Sequence, residues 1–447
     1  MGAALTGAVL SKFTALLLLP TIALVCWASQ SGAPSWWRRH WRSWASGLAA
    51  SAILFVLCYR ATHLADFFRA LTANNIIMRK GQNTFFHGTR AGGVWYYFLG
   101  AFLLKTPLPL ILLSIPPFLK GRGWRDPRLV WLTVPVVLLM AAASLSNLQL
   151  GLRYVLPIYP FLFILGGQAA ALVRPRAAAW CLLGWLAAGS LSVHPDYLAY
   201  FNELAGGPSG GWHWLVDSNL DWGQDLGGLR DYVKREGASD VILSYFGYAP
   251  AEAAGFPFQG VIGAEMRGHE EHINAAKPVK ELLAVSATYL QGLYLTDTFG
   301  GNPFEWLKDR RPEAVIGHSI FVWDITQDAS MHLRLAHTYL ISGRPALARH
   351  ELSRAAGLAP DQAWGLLMSS FLAPTKSESL KLFARAVKLD PSLGVPWDSI
   401  GALPRARDWY ESSLKIIKGA FKDDPEGREY RAADAALARL DAPHVVK

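Results

Sequence analysis

Cysteine is scarce in this chain of 447 residues, and none lies in its C-terminal half. The three cysteines, Cys26, Cys58 and Cys181, all occur in apolar runs, where they are expected to be small packing residues. The C-terminal half therefore has neither a disulfide framework nor a zinc site made of cysteine thiolates.

Acidic residues are almost absent from residues 1–193. Only Asp66 and Asp126 occur there, against 17 Lys and Arg, whereas the whole chain has 43 basic and 34 acidic residues. Because the excess positive charge lies among apolar runs, the pI of about 9.4 does not indicate nucleic-acid binding. With a hydrophobic fraction of 52%, this pattern excludes a disordered chain and a simple cytosolic enzyme.

Long apolar runs fill the same part of the chain. Six of them approach the roughly 20 residues that a helix needs to cross a bilayer core about 30 Å thick. The sequence therefore predicts a multi-pass α-helical membrane domain of about six helices over residues 1–193. The runs are 8–28, 45–62, 94–119, 128–147, 154–173 and 177–193.

Short loops rich in Lys and Arg follow the first, third and fifth runs. Because such loops stay on the cytoplasmic side, the C-terminal half is predicted to be extracytoplasmic, attached to a plasma (inner) membrane. Met1 then also lies outside, and no charged residue precedes Lys12, which fits a signal peptide poorly. This pattern predicts that the N-terminal part of a larger membrane domain is missing. The alternative is a six-helix protein with its N-terminus outside.

Several cations fall on the predicted outer face, against the usual charge bias of membrane proteins, and five of them are candidates for an anion site. Ionisable residues at membrane depth are costly and are usually functional or paired. A carrier lipid's phosphate would satisfy them, because guanidinium groups match phosphate oxygens in bidentate geometry. Snorkelling or headgroup contact is the alternative. The candidates are Lys105, Arg153, Arg79, Lys80 and Arg90.

Residues 194–328 alternate between helix-like and strand-like patterns. A helix is predicted over 222–236, and β-branched and aromatic residues predict strands near 240–247, 281–290 and 319–325. This alternation predicts a small extracytoplasmic α/β domain.

A polar segment, DSNLDWGQD, precedes that helix. One interpretation is a turn followed by a helix cap, with Asp221 or Asn219 holding the first amides of the helix. The other is a role at a membrane-facing active site, in contact with an acceptor or a metal. The residues leave both open.

Residues 329–447 carry a degenerate helical repeat. Small residues, a turn glycine and a final proline recur at tetratricopeptide (TPR) spacing, and a third pair of helices is predicted over 405–440. Such a region would bind a peptide or protein partner; a helical cap on the α/β domain is the alternative. The repeat positions are Ala336, Tyr339, Gly343, Ala348, Leu352, Ala355 and Pro360, then Phe383, Ala386 and Pro391.

Four sequence blocks resemble the bacterial relatives of dolichyl-phosphate-mannose–protein mannosyltransferases, which are phospholipid-carrier-dependent glycosyltransferases of the GT-C class. The similarity runs from about residue 5 to residue 325. The blocks are HGTRAGGVWYYFLGAFLLKTPLPLILL, NLQLGLRYVLPIYPFLFILGG, HPDYLAYFNELAGGP and LVDSNLDWGQDL. The stretch GAVLSKFTALLLLP is similar to sequence found in the middle of that domain, which again predicts a missing N-terminal part.

The resemblance implies transfer of a sugar from a polyprenyl-phosphate carrier to an acceptor outside the cytoplasm. It implies that Lys105 and Arg153 lie near the lipid phosphate. No position matches the family's catalytic acid, so no catalytic residue is assigned, and a divalent metal cofactor stays open. The block of unknown role comprises Asp217, Asn219, Asp221, Gln224 and Asp225.

A second functional class competes with the enzyme. A non-catalytic, membrane-anchored scaffold would use the TPR-like repeats to recruit a partner at the outer face. A transporter has little support, because no inverted repeat is visible in the sequence.

Overall fold

The computed structural model describes residues 2–11, 13–28, 35–59, 63–115, 127–247, 250–262, 278–299 and 301–390. Within them, the α-helices longer than one turn are α1 (Gly2–Ser11), α2 (Leu18–Ala28), α3 (Ser35–Cys58), α4 (Leu64–Lys80), α5 (Tyr97–Lys105), α6 (Leu108–Ser114), α7 (Pro127–Ser144), α8 (Tyr159–Leu172), α9 (Arg176–Leu191), α10 (Leu226–Glu236), α11 (Ala329–Ile341), α12 (Pro345–Leu358), α13 (Ala363–Phe371) and α14 (Lys376–Leu389). The strands are β1 (Thr84–Phe86), β2 (Thr89–Ala91), β3 (Asp240–Ser244), β4 (Gln259–Gly260), β5 (Glu281–Ser286), β6 (Ala314–Ile316) and β7 (Ile320–Asp324).

The chain forms two compact units, Met1–Asn219 (unit 1) and Leu220–Lys447 (unit 2). Unit 1 thus extends past the predicted boundary at residue 193 and takes in the first part of the polar segment. Unit 2 contains both the α/β sheet and the helices that follow it.

The predicted multi-pass membrane domain of about six helices is wrong. Among the described residues, one helical segment is long and apolar enough to cross a membrane, Trp41–Cys58 in α3. A second candidate arises only if α5 and α6, which meet at an angle of 109°, are counted as one broken span. The other apolar helices have 10–17 residues, fewer than a bilayer core about 30 Å thick requires.

Interruptions of the helices explain this difference. The apolar run 94–119 bends at Pro107, because proline has no N–H with which to continue a helix. The run 8–28 is divided into α1, a 3-10 turn at Phe13–Leu17 and α2. Hydropathy counts apolar residues along a run and does not register where the backbone stops being helical.

Unit 2 is built around a mixed sheet with the strand order β4-β3-β5-β7-β6. β3 pairs in parallel with β4 and β5, whereas β7 pairs antiparallel with β5 and β6. β3 and β5 are buried along their whole length, as expected for nearly continuous apolar sequences. α10 packs Leu226, Leu229 and Val233 against the sheet, because residues three and four apart share one helix face.

The helices after the sheet pack in consecutive pairs. α11 packs on α12 across a turn at Gly343, whose φ of +77° favours glycine. Ala336 and Ala348 are fully buried in this pair, as the small residues of the repeat pattern require. α13 packs on α14 in the same way. The predicted third pair, at 405–440, lies outside the described residues, and the TPR interpretation stays a prediction.

Candidate functional site

Asn219 lies at the centre of a polar cluster in unit 1. Its side-chain oxygen accepts a hydrogen bond from the backbone amide of Leu152 at 3.0 Å, and its side-chain nitrogen donates one to the Tyr97 hydroxyl at 2.8 Å. Its backbone oxygen accepts a hydrogen bond from the Lys105 ammonium group. Asn219 is 1% exposed, so these bonds are shielded from water. One asparagine thereby joins segments far apart in the sequence.

The ammonium group of Lys105 faces atoms of the protein itself. Besides the carbonyl of Asn219, it donates a hydrogen bond to the carbonyl oxygen of Leu198 at 2.8 Å. The nitrogen also lies 4.3 Å from the centre of the Phe201 ring, in a cation–π contact. These contacts make Lys105 a positioning residue within unit 1, whereas the sequence indicated a direct phosphate ligand.

Asn202 fixes the bend between α5 and α6. Its side-chain nitrogen donates hydrogen bonds to the carbonyl oxygens of Leu103 at 2.6 Å and Thr106 at 2.8 Å. Its backbone amide donates to the carbonyl of Leu104 at 2.9 Å. The last carbonyls of a helix have no partner within the helix, so a side chain from elsewhere must supply donors. Asn202 supplies them here.

Two amide side chains hold the loop that precedes α5. Asn147 donates a hydrogen bond to the carbonyl oxygen of Arg79 at 2.9 Å. Gln149 accepts from the Val94 amide at 3.2 Å, donates to the Val94 carbonyl at 2.5 Å and accepts from the Thr84 hydroxyl at 3.3 Å. The chain then continues to Leu152 and its bond with Asn219, so one short stretch connects the loop to the cluster.

The four remaining predicted phosphate ligands lie on these connected segments. Arg79 and Lys80 are exposed in the last turn of α4, and Arg153 is exposed in a 3-10 turn. Arg90 is half-buried in β2. The structure therefore brings the segments that carry all five predicted cations into the contact network of unit 1.

Asp217 is a buried carboxylate of the same unit. It is 7% exposed and adopts φ of +56°, a left-handed conformation that aspartate and asparagine tolerate better than most other residues. The Ser218 hydroxyl donates a hydrogen bond to its Oδ1 at 3.2 Å. Asp217 thus lies buried two residues before Asn219, the centre of the cluster.

The rest of the polar segment belongs to unit 2 and stabilises turns. Asp221 accepts a hydrogen bond from the Gly223 amide at 2.9 Å. Gln224 donates to the carboxylate of Asp225 at 2.8 Å, and Asp225 also accepts from the Ser319 hydroxyl at 2.5 Å. These contacts give Asp221, Gln224 and Asp225 structural roles.

The capping interpretation of the polar segment does not hold in detail. α10 begins at Leu226, later than the predicted start at 222, and its N-cap residue Asp225 makes no side-chain capping bond. Asp221 binds an amide of the preceding turn, and Asn219 binds Leu152 in unit 1. The side chain of Asp225 ties the start of α10 to the loop before β7 instead.

A second group of buried polar side chains was missed by the sequence analysis. Glu281, His332 and Glu351 come from β5, α11 and α12 of unit 2, and all are 1% exposed or less. Burial, followed by the charge of Glu351, raises the pKa of Glu281 above its ordinary value. No local motif connects residues so far apart in the sequence, and the helices that carry His332 and Glu351 contain other charged residues as well.

The unit 1 cluster thus combines exposed cations and a buried carboxylate on connected segments of the chain. Comparisons of the chain with family models, with curated proteins and with solved structures gave no match.

Proposed function

We propose that the chain is a glycosyltransferase that takes its sugar from a polyprenyl-phosphate carrier and passes it to an acceptor outside the cytoplasm. The convergence of the four sequence blocks on one cluster carries this proposal. Tyr97 and Lys105 come from the first block, Leu152 from the second and Leu198 from the third, and they meet at Asn219 of the fourth. Because residues of all four blocks meet at Asn219, we assign the four blocks to one function.

The exposed cations supply the chemistry that the carrier requires. Breaking the bond between sugar and phosphate leaves negative charge on the phosphate, and preorganised cations stabilise that charge in the transition state. Arg153 is exposed beside the cluster, and Arg79 and Lys80 end the helix that the loop follows. The carrier would come from a membrane to which the apolar segment Trp41–Cys58 attaches the chain.

Asp217 is the carboxylate we assign to the acceptor. Glycosyl transfer needs a base that removes the acceptor's proton, and a positioned carboxylate can serve. Asp217 is a buried carboxylate, and it precedes Asn219, the centre of the cluster, by two residues. Asparagine is tolerated at positive φ, so Asp217→Asn removes the charge with little effect on the backbone.

Carrier binding is tested first. The purified chain in detergent is titrated with fluorescent polyprenyl phosphate, and Arg153→Ala is expected to weaken binding about tenfold or more, the loss of one charge-assisted hydrogen bond. Arg69→Ala is the control, because Arg69 is exposed on α4 and pairs with Asp66. Equal affinity in wild type and Arg153→Ala would remove the phosphate site from the proposal.

Transfer is tested with polyprenyl-phosphate-linked sugars and detection of released polyprenyl phosphate. Asp217→Asn is expected to lower the rate by about 100-fold or more, the scale of general base catalysis, with carrier binding unchanged. Retained transfer in this variant would exclude Asp217 as the base.

A membrane-anchored scaffold is the second candidate. Trp364 on α13 is 56% exposed, and aromatic residues are enriched where proteins bind partners. A wild-type chain that binds no polyprenyl phosphate, but captures a protein that Trp364→Ala releases, would favour the scaffold.

A further inference from the structure

The buried group in unit 2 arranges an imidazole between two carboxylates. His332 Nδ1 lies 2.7 Å from Glu351 Oε2, a short hydrogen bond. On the other side of the ring, His332 Nε2 lies 3.7 Å from Glu281 Oε2. The ring and both carboxylates are 0–1% exposed, so water does not compete for these atoms.

The two sides of the ring differ in a way that points to a ligand. Nδ1 is within hydrogen-bonding distance of its carboxylate, whereas Nε2 has no hydrogen-bond partner among the described residues. A distance of 3.7 Å is too long for a hydrogen bond. It is close to the roughly 3.4 Å that separates two ligand atoms each about 2.1 Å from a tetrahedral metal ion.

The hydrogen bond between His332 Nδ1 and Glu351 is also typical of a metal-binding histidine. Such residues almost always donate the N–H of their other nitrogen to a carboxylate or carbonyl, which fixes the tautomer and leaves a lone pair facing the metal. With Glu351 as the acceptor, the proton lies on Nδ1 and the lone pair on Nε2, the nitrogen that is 3.7 Å from Glu281 Oε2. One ligand atom from each of the three groups lies within 4.8 Å of the others.

The charge of the surroundings favours a cation. Glu281 and Glu351 are both buried, and the guanidinium of Arg354 donates a hydrogen bond to Glu281 Oε2 at 2.8 Å. With a neutral imidazole and both carboxylates ionised, Arg354 balances one of the two negative charges, and a bound cation would balance the other. A nitrogen and oxygen ligand set of this kind suits zinc.

We infer that unit 2 binds one zinc ion between His332 Nε2 and Glu281, with Glu351 orienting the imidazole. The ion would connect Glu281, the first residue of β5, to His332 of α11, and Glu351 would add a contact from α12. This site is separate from the residues of the proposed transfer reaction, and its test does not depend on that reaction.

The experiment uses the full-length chain stripped with a chelator, desalted and titrated with zinc chloride against a chromophoric zinc indicator. Wild type and His337→Gln are expected to bind one zinc ion per chain, His337 being a half-buried histidine on the same helix. His332→Gln is expected to lower affinity by about 100-fold or more. Glu351→Gln is expected to lower it by about 10- to 100-fold, the range for residues that orient a ligand.

Two results would overturn the inference. One is a wild-type chain that binds no zinc. The other is equal zinc affinity in wild type and in folded His332→Gln, which would mean that the bound zinc lies elsewhere. If circular dichroism shows that His332→Gln is unfolded, cobalt is loaded into wild type instead. Visible absorption bands of four-coordinate cobalt with nitrogen and oxygen ligands support the site, and their absence contradicts it.

Discussion

Lys105 donates a hydrogen bond to the carbonyl oxygen of Leu198, a residue 93 positions later in the chain. The same ammonium group donates to the carbonyl of Asn219. A lysine at the end of an apolar helix thereby connects three segments of unit 1. Its replacement should therefore lower the free energy of unfolding.

Lys105→Met is expected to lower the free energy of unfolding by about 2 kcal/mol, because hydrogen bonds from a charged group contribute about 1.5–3 kcal/mol and the carbonyls lose their donor. Lys80→Met, at an exposed position, should change it by less than about 0.5 kcal/mol. Denaturant unfolding of the full chain in detergent measures both. A stable Lys105→Met that has lost carrier binding would instead return Lys105 to the role of a phosphate ligand.

Asn219→Ala should destabilise unit 1 by about 2 kcal/mol or more, since the buried amide of Leu152 is left without an acceptor. Tyr97→Phe should cost about 1 kcal/mol, because it removes only the hydroxyl that Asn219 donates to. The double variant should cost less than the two single losses combined, as residues in one network do not act independently. Strict additivity in unfolding measurements would show that the two side chains are not coupled.

Gly317→Ala should lower the free energy of unfolding by about 2–5 kcal/mol. Gly317 has φ of +54°, and an added Cβ would collide with the carboxylate of Asp225. Gly237→Ala is the matched control, because Gly237 has φ of +63° and open space around the position of a Cβ, so only the backbone cost of about 1–2 kcal/mol applies. Equal losses for the two variants in thermal or chemical unfolding would contradict the predicted steric conflict with Asp225.

Asp328 should make the stability of unit 2 depend on pH. Burial raises the pKa of Asp328, but hydrogen bonds from Ser330, the Met331 amide and Arg310 outweigh it, so the pKa lies below the ordinary value. The stabilisation is therefore complete above the ordinary aspartate range and is lost as the pH falls through the lowered pKa. Asp328→Ala should cost about 1 kcal/mol at about pH 7, the usual contribution of a helix N-cap, and progressively less below about pH 4.

Unfolding free energies of wild type and Asp328→Ala across this range measure the effect. Asp309→Ala, at an exposed aspartate nearby, serves as the control. A difference between wild type and Asp328→Ala that stays constant with pH would show that the carboxylate charge does not contribute.

The sequence predicted the longer strands of the sheet best, because each of these strands lies in one environment along its length. β3, β5 and β7 lie within the predicted strands, because β-branched and aromatic residues in short runs have few other uses. β4 and β6 were missed because two or three residues give no periodicity. The six predicted spans failed because helix length depends on where the backbone breaks, and Pro107 with Asn202 sets one such break.

Individual residues of the candidate site could be predicted from the sequence, but the contacts between them could not. The cations and the polar segment were visible as charged or polar residues in unusual places. Their division between two units was not visible, since Asn219 and Asp221 are only two positions apart yet make their contacts in different units. The group of Glu281, His332 and Glu351 needs three-dimensional packing to appear at all.

The bend between α5 and α6 also has a consequence for biosynthesis. Asn202 donates to the carbonyls of Leu103 and Thr106, and it leaves the ribosome 96–99 residues after them. At about 5–20 residues per second, those carbonyls wait roughly 5–20 s for their donor. During that interval Asn202 has not yet been synthesised. Water, lipid headgroups or a chaperone must therefore donate hydrogen bonds to the two carbonyls first.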